Sequence, residues 1–295
     1  MLNLSANGRP GRWRRGRRGQ LAAPGGYHLP SEGDPATTIF TAHQVNIDTS
    51  KGLPMSARTL IVKSLQHLRV NKVAHKVYYG YVHGFDAANR AVLPALDRCF
   101  ARVKANGKAY NSDYLEFGLF KGYSFWYAQH LASKHELKSM RFFGFDSFQG
   151  LPEPGEIDST QNNVFYEGQY YCKKSDVVRN LESKGVDWSR TRLIEGFFNQ
   201  SLAPDLKKQY DIKRAAIALV DCDLYESTRD VMIFLEDLIA DNTILMFDDW
   251  NCFDGDDNRG QRRAVREFLD RSGGWRFEDW FAYGDYGQVF IVKGQ

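Results

Sequence analysis

The chain has 295 residues, of which 43% are hydrophobic and 14% aromatic, so it can bury one sizeable core. No apolar run approaches the roughly 18 to 20 residues of a membrane span, and the N-terminus lacks the hydrophobic stretch of a secretory signal. We therefore expect a cytoplasmic protein without a membrane partner. The net charge of +3 comes from arginines between Arg9 and Arg18, because no acid precedes Glu32. The remainder is slightly acidic, which argues against a nucleic-acid partner.

Two segments precede the region of regular alternation. Residues 1–55 begin with a basic stretch rich in Gly and Pro, which buries too little apolar surface to offset its ordering entropy. We predict a disordered or extended tail there. Residues 56–107 have apolar positions at helical spacing, and the pattern ends at Gly107. The clearest run is Val92, Leu96, Phe100 and Val103. This segment is expected to cover an acceptor site or to form a homodimer.

From residue 108 to residue 295, short apolar runs alternate with amphipathic helices. Helices are expected after Ser124, from a cap at Ser175, from a cap at Ser227 and through the stretch RRAVREFLDRSGG. Strand, helix, strand in repetition means parallel strands with right-handed crossovers. The last stretch, WRFEDWFAYGDYGQVFIVK, indicates two strands without an intervening helix. The predicted fold is therefore α/β and Rossmann-like, with helices on both faces of a mostly parallel seven-stranded sheet whose last strand is antiparallel. Its five candidate parallel strands are Asp113–Phe117, Arg141–Phe145, Arg192–Ile194, Ala215–Val220 and Thr243–Phe247.

The residues that close the first two strands point to a nucleoside cofactor, because ligands of open α/β sheets bind at the carboxyl ends of the strands. Gly118 follows the first strand and Gly122 opens the next helix, which lets the backbone approach a ligand closely. The spacing is GxxxG and no Lys-Ser/Thr pair follows, which argues against a dinucleotide fingerprint or a P-loop. Asp146 closes the second strand, where an acidic residue accepts hydrogen bonds from ribose hydroxyls.

Acidic pairs end two later strands. Asp221 and Asp223 follow the fourth strand, and Asp248 and Asp249 follow the fifth. A carboxylate taken out of water is strongly destabilised unless a cation or hydrogen-bond donors meet it. The pattern therefore predicts positive charge at this edge of the sheet. Asp223 is expected to support the other acids or to pair with a basic residue.

Five motifs carry a resemblance to a known family. The stretches YLEFGLFKGYS, FFGFDSFQGLPEP, LIEGFFNQSL, ALVDCDLYEST and ILMFDDW occur in this order between Asn111 and Lys293. Together they resemble the macrocin O-methyltransferase family, a branch of the class I S-adenosylmethionine-dependent methyltransferases. FDSFQGLPEP and DCDLYEST are the most specific of them. The resemblance implies a class I methyltransferase fold and S-adenosylmethionine as the cofactor.

The resemblance also implies roles for individual residues. Glu116, Gly118 and Ser124 would line the amino-acid end of the cofactor. Asp146 would hold its ribose, with Ser147 beside it, and the adenine would lie next to Gly196 and Phe197. A divalent cation would be held by the acid after the fourth strand and the pair after the fifth, which are Asp221, Asp248 and Asp249.

Three converging carboxylates suit Mg²⁺ better than a softer metal. The open positions of such an ion accept a hydroxyl and its neighbour, as in a vicinal diol, and the ion lowers the pKa of a bound hydroxyl. We therefore expect O-methylation of a small hydroxylated molecule, such as a sugar or a glycoside. Asp221 is the first choice for the general base. Weaker candidates from the N-terminal segment are His67, His75, Tyr79 and His83.

Two other enzyme classes compete with this interpretation. Asp221-Cys222-Asp223 is also the DxD arrangement by which many glycosyltransferases hold a metal and a sugar nucleotide. That alternative leaves the glycine turn and Asp146 without a role, and the motif lies late in the chain. The other alternative is a metal-independent methyltransferase on the same fold, in which the acids serve the structure.

Overall fold

The computed structural model describes residues 85, 91–107, 112–159 and 165–294. In this part of the chain seven strands form one sheet. The strands are β1 (Asp113–Phe117), β2 (Phe142–Asp146), β3 (Thr191–Glu195), β4 (Ala215–Val220), β5 (Ile244–Phe247), β6 (Trp275–Tyr283) and β7 (Gly287–Gly294). The helices are α1 (Val92–Ala105), α2 (Tyr123–Lys134), α3 (Lys174–Ser183), α4 (Phe198–Ser201), α5 (Leu206–Gln209), α6 (Tyr225–Leu235) and α7 (Gly260–Ser272), with a 3-10 turn at Trp188–Arg190.

The strand order is β3-β2-β1-β4-β5-β7-β6, which confirms the predicted fold class. Strands β1 to β5 pair in parallel, whereas β7 is antiparallel to both β5 and β6. The chain builds outward from β1 to β3 and then crosses back to place β4 beside β1. The order therefore reverses between β1 and β4, and a ligand site is expected where their carboxyl ends meet.

Both faces of the sheet are covered by helices, and the side chains of β1 alternate between the two resulting cores. Tyr114 packs into the core formed with α1, α2 and α3, where Phe100, Phe125 and Leu181 are fully buried. Leu115 packs on the other side, in the core that includes residues of α6 and α7. Strands β1, β2, β4 and β5 are buried on both faces, and this is why they are mostly apolar in sequence. The edge strand β3 is partly exposed.

The five predicted parallel strands agree with the structure to within one residue at each end. The predicted run of Val92, Leu96, Phe100 and Val103 is confirmed as the buried face of α1. None of the described helices is long and apolar enough to cross a membrane. The alternative base candidates His67, His75, Tyr79 and His83 lie outside the described residues, as do residues 1–55 and most of 56–107.

Two predicted helix caps are wrong. Helix α3 already begins at Lys174, so Ser175 lies inside its first turn and makes no capping hydrogen bond. Helix α6 begins at Tyr225, two residues before the predicted cap Ser227. The N–H of Tyr225 is satisfied by the carboxylate of Asp158, which is 67 residues distant in the chain. A distant acid therefore replaces the local side chain that the capping pattern assumes.

Candidate active site

The glycine turn after β1 brings that strand into direct backbone contact with β4. Gly118 has φ 94°, and a Cβ atom at this position would lie 1.7 Å from the carbonyl oxygen of Asp221. The N–H of Asp221 donates to the carbonyl of Phe117 at 2.9 Å. Only glycine allows this approach, and its consequence is that the predicted cofactor turn touches the first residue of the acid cluster.

Asp146, at the end of β2, binds the two loops that flank it. One carboxylate oxygen accepts the N–H groups of Leu119 at 2.7 Å and Phe120 at 3.1 Å, and the other accepts the N–H of Phe148 at 2.6 Å. Both phenylalanines have left-handed backbone conformations, with φ 48° and 52°. Such conformations are unfavourable for bulky residues and persist where the surroundings impose them. Burial raises the pKa of Asp146, and the three N–H groups oppose this.

Glu116 lies on β1 and is fully buried. It accepts a hydrogen bond from the hydroxyl of Ser124 at 2.7 Å and another from the hydroxyl of Tyr114. Burial raises the pKa of Glu116 to about 8 although both hydroxyls favour its ionised form. Within the described ranges its donors are these two neutral hydroxyls, and no lysine or arginine forms an ion pair with it.

The remaining predicted cofactor residues lie at the ends of β2 and β3. The Ser147 hydroxyl donates to the carbonyl of Gly150 at 2.8 Å and accepts the N–H of Gln149 at 3.0 Å, which closes a turn. The N–H of Gly196 donates to the carbonyl of Asp146 at 3.0 Å, and Phe197 is the partly buried N-cap residue that directly precedes helix α4. The structure therefore brings the predicted cofactor residues to three adjacent strand ends.

The predicted metal residues also lie together. Asp221, Asp248 and Asp249 each offer a carboxylate oxygen, and these three oxygens lie within 4.8 Å of one another. Among the residues that the structure describes, they are the only group of at least three acidic, cysteine or histidine side chains arranged in this way. Burial and the neighbouring carboxylates raise the pKa of Asp221 well above its ordinary value and that of Asp249 to about 7. Without a cation the three groups disfavour each other's ionised forms.

Asp249 is held by three hydrogen bonds, and one of them is to Gln261, which sequence reasoning missed. Its carboxylate accepts the N–H of Asp223 at 3.0 Å and the thiol of Cys252 at 3.3 Å. Its own N–H donates to the side chain of Gln261 at 3.1 Å. Asp223 therefore supports Asp249 through its backbone, and its 6% exposed carboxylate has no ion-pair partner among the described residues.

Asp158 is a second residue that sequence reasoning missed. It is 4% exposed and accepts the N–H of Tyr225 at 2.6 Å and the N–H of Gly260 at 3.0 Å. An acid in a loop rich in proline and glycine is normally interpreted as solvated, so the local sequence carried no signal. A small apolar cluster joins this loop to the segments that follow β4 and β5, and its members are Leu151, Phe165 and Leu224, with Tyr170, Cys252 and Phe253 packed against them.

The sheet order, the glycine turn after β1 and the acids at the ends of β4 and β5 define a class I methyltransferase fold. The structure of the O-methyltransferase NovP is similar, with a TM-score of 0.56 and 19% identity over 79% of this chain and 98% of that one. The calicheamicin methyltransferase CalS11 gives a TM-score of 0.55 and 18% identity over 91% of this chain and 99% of that one. At these identities the likeness concerns the fold alone.

The chain belongs to the Macrocin-O-methyltransferase (TylF) family, whose model matches residues 83–273. This confirms the family indicated by the five motifs. The chain is 27% identical to the 8-demethyl-8-(2,3-dimethoxy-alpha-L-rhamnosyl)-tetracenomycin-C 4'-O-methyltransferase of Streptomyces olivaceus, over 54% of this chain and 59% of the relative. It is 25% identical to the mycinamicin III 3''-O-methyltransferase of Micromonospora griseorubida, over 55% of this chain and 61% of the relative. The chain thus spans about three fifths of the length of either relative.

Proposed function

We propose that this chain is an S-adenosylmethionine-dependent O-methyltransferase that methylates a sugar hydroxyl of a glycosylated small molecule with the help of a divalent cation. The observation that carries the proposal is the group of three carboxylates at the ends of β4 and β5, in backbone contact with the glycine turn. The names of the two relatives, both of them O-methyltransferases and one acting on a rhamnosyl compound, support the acceptor class.

The cofactor would lie across the ends of β1, β2 and β3. Glu116 is buried with two neutral donors, so the positively charged amino group of the cofactor supplies the partner that its ionised form lacks. Ser124 and Gly118 would lie beside that amino-acid end. A carboxylate has about four acceptor positions, and Asp146 uses three of them on backbone N–H groups. The remaining position is suited to a ribose hydroxyl.

The rest of the cofactor contacts follow from position along the sheet. Ser147 shapes the turn next to Asp146 through its two hydrogen bonds within the turn. Gly196 and Phe197, at the end of β3, would border the adenine. The cofactor would therefore run from Glu116 at one end of this row to Phe197 at the other, with its sulfonium near the Gly118–Asp221 contact.

The acid cluster fits a hard divalent cation such as Mg²⁺, which prefers oxygen ligands. Asp221, Asp248 and Asp249 would hold it. Burial and the neighbouring carboxylates raise the pKa values of Asp221 and Asp249, and a cation would relieve the repulsion between the carboxylates. Bound there, the cation supplies charge that lowers the pKa of an adjacent hydroxyl. Gly118 keeps this group in contact with the cofactor turn.

Asp221 would act as the general base. One of its carboxylate oxygens would take the proton of the acceptor hydroxyl while the hydroxyl oxygen bonds to the methyl carbon. The cofactor would supply that methyl group from its sulfonium, and the electron pair of the broken carbon–sulfur bond would stay on sulfur in S-adenosylhomocysteine. The site residues accelerate this step mainly by holding the hydroxyl and the methyl group in line.

The domain assignments remain proposals. We assign residues 108–295 to the methyltransferase domain, residues 56–107 to a segment that covers the acceptor or forms a homodimer, and residues 1–55 to a basic tail. Within the middle segment, α1 packs into the same core as α2 and α3. That helix is therefore part of the catalytic fold, and a truncated chain that begins at residue 108 would lose part of the core.

Binding and turnover measurements on the full chain test the proposal. Calorimetry should show binding of S-adenosylhomocysteine and no binding of uridine diphosphate, the product expected of a DxD glycosyltransferase. Labelled methyl transfer should be found with glycosides that carry a free vicinal diol, and both excess EDTA and Asp248→Ala should abolish it. Full activity in EDTA would refute the metal requirement. Binding of uridine diphosphate alone would refute the methyltransferase.

A further inference from the structure

The side chain of Gln261 joins the two strand ends that carry the acid cluster. Gln261 lies in the first turn of α7 and is 1% exposed. Its amide nitrogen donates to the carbonyl of Val220 at 2.9 Å, and its amide oxygen accepts the N–H of Asp249 at 3.1 Å. Val220 is the last residue of β4 and Asp249 follows β5, so one amide bridges both ends, and the same Val220 carbonyl also accepts the N–H of Asp248 at 3.1 Å.

Asp158 holds the helix from which Gln261 projects. Its two oxygens accept the N–H of Tyr225 and the N–H of Gly260, which are the first residues of α6 and α7. The first N–H groups of a helix have no partner within the helix, and a negative charge there is favourable. Helix α6 follows the acids of β4, and α7 follows those of β5. A single buried carboxylate therefore ties together the two helices that continue from the acid cluster.

These bonds do not reach the proposed cofactor contacts. Glu116 is bonded by Tyr114 and Ser124, and Asp146 by the backbone of the flanking loops. A change at Gln261 or Asp158 therefore acts on the acid cluster and leaves the bonding of these two carboxylates unchanged. This separation is what makes a positioning role distinguishable from a general contribution to stability.

We propose that Gln261 and Asp158 are positioning residues for the acid cluster. Gln261 fixes the position of Asp249 relative to the end of β4, and Asp158 fixes the helix that carries Gln261. The inference rests on the proposed function, because it assumes that the cluster binds a divalent cation. Groups that orient metal ligands without touching the metal typically change affinity by roughly 10- to 100-fold when they are removed.

The test uses Gln261→Met and Asp158→Asn in the full chain. Methionine has a similar volume and can form neither of the two hydrogen bonds made by the Gln261 side chain. Asparagine keeps the shape of Asp158, but its NH₂ group cannot accept the second backbone N–H. Asp113→Asn is the matched control, because Asp113 is also a buried, hydrogen-bonded acid and lies at the opposite end of β1.

Calorimetry with Mg²⁺ and with S-adenosylhomocysteine gives the readouts, together with the dependence of methyl transfer on Mg²⁺ concentration. We expect both variants to bind Mg²⁺ roughly 10- to 100-fold more weakly and to bind S-adenosylhomocysteine as the wild type does. The control should lose thermal stability and keep both affinities. If one variant does not fold, the other gives the same readout.

Two results would overturn the inference. The first is an unchanged Mg²⁺ affinity in a folded variant, and the second is a parallel loss of S-adenosylhomocysteine affinity. Failure of the proposed metal site has a different signature, since the wild type itself would then bind S-adenosylhomocysteine and no Mg²⁺. That outcome would remove the inference together with the metal.

Discussion

Buried acids lie at both ends of the parallel strands, but the charged groups around them differ between the two ends. At the amino end, Asp113 is 1% exposed and receives two hydrogen bonds from Arg141, at 2.8 and 2.7 Å. The same guanidinium also donates to the carbonyls of Tyr210 and Asp211. At the carboxyl end, Asp221 is surrounded by other carboxylates. Among the described residues, Asp113 has a cationic partner and Asp221 has none.

Different interactions shift the pKa values of Asp113 and Asp221. Burial raises the pKa of Asp113, and Arg141 opposes this through its hydrogen bonds and its charge. For Asp221, burial and the charges of Asp248, Asp249 and other nearby acids all act in the same direction. At the amino end a guanidinium therefore offsets part of the cost of burying the acid, whereas at the carboxyl end the neighbouring charges add to that cost. Such local conflicts are expected at functional sites.

The largest effect is expected from Asp221→Asn. Loss of the proposed base should reduce kcat by roughly 10²- to 10⁴-fold. In metal-free protein at pH 8 the same change should raise the Tm, because Asn does not repel its acidic neighbours. The sign follows from the raised pKa of Asp221. From its ordinary value of 3.8 upward, ionisation favours the unfolded chain, so the advantage of Asn grows as the pH rises.

The measurements are kcat and the Tm in EDTA at pH 5 and pH 8. As a control, added Mg²⁺ should raise the Tm of the wild type and leave that of the variant unchanged. A variant that is less stable than the wild type in EDTA at pH 8 would show that Asp221 is a structural acid like Asp113.

The same substitution at the amino end should act in the opposite direction. Asp113→Asn removes the carboxylate that Arg141, whose side chain is 34% exposed, binds through two hydrogen bonds. Loss of one hydrogen bond to a charged group typically destabilises by about 2 kcal/mol, and for a protein of this size that lowers the Tm by roughly 4 to 8 °C. Activity of the folded variant should be retained, because the change lies at the far end of the strands. Loss of activity at a temperature where circular dichroism shows the variant folded would contradict this.

The sequence predicts the sheet and the acid cluster well because both depend on local pattern. Four of the five predicted parallel strands are followed directly by an acidic residue, and parallel strands bring those residues to one edge. Gly118 and Asp146 were also identified, but their partners were not. The sequence pattern indicated that Gly118 lacks a Cβ so that a ligand can approach. In the structure the atom that would clash with a Cβ there is the carbonyl oxygen of Asp221.

The supporting contacts could not be predicted, because they join residues far apart in the chain. Asp158 and Gly260 are 102 residues apart, and Gln261 and Val220 are 41 apart. The wrong cap at Ser227 has the same origin, since the pattern rule considers nearby side chains only. Which acid reaches which helix start is decided by how the loop folds back, and no spacing in the sequence encodes that.

The smallest effect is expected at Glu116. Its surroundings are intermediate between those of Asp113 and Asp221, because among the described residues it has two hydroxyl donors and no cationic partner. Burial raises its pKa to about 8 from 4.5. Between these values the unfolded chain ionises and the folded protein does not, so this residue lowers stability as the pH rises. Glu116→Gln removes that dependence. The variant should therefore match the wild type near pH 4.5 and have the higher Tm at pH 8, measured without cofactor.

The same variant should bind the cofactor less well. A hydrogen bond to a charged group contributes about 1.5 to 3 kcal/mol, so we expect a loss of roughly 10- to 100-fold in the affinity for S-adenosylhomocysteine by calorimetry. Ser124→Ala is the matched control, because it removes a neutral donor to Glu116 and leaves the charge in place. Higher stability together with unchanged affinity would mean that the carboxylate does not meet the amino group. Lower stability at pH 8 would mean that a cation already accompanies Glu116 in the free protein, as Arg141 accompanies Asp113.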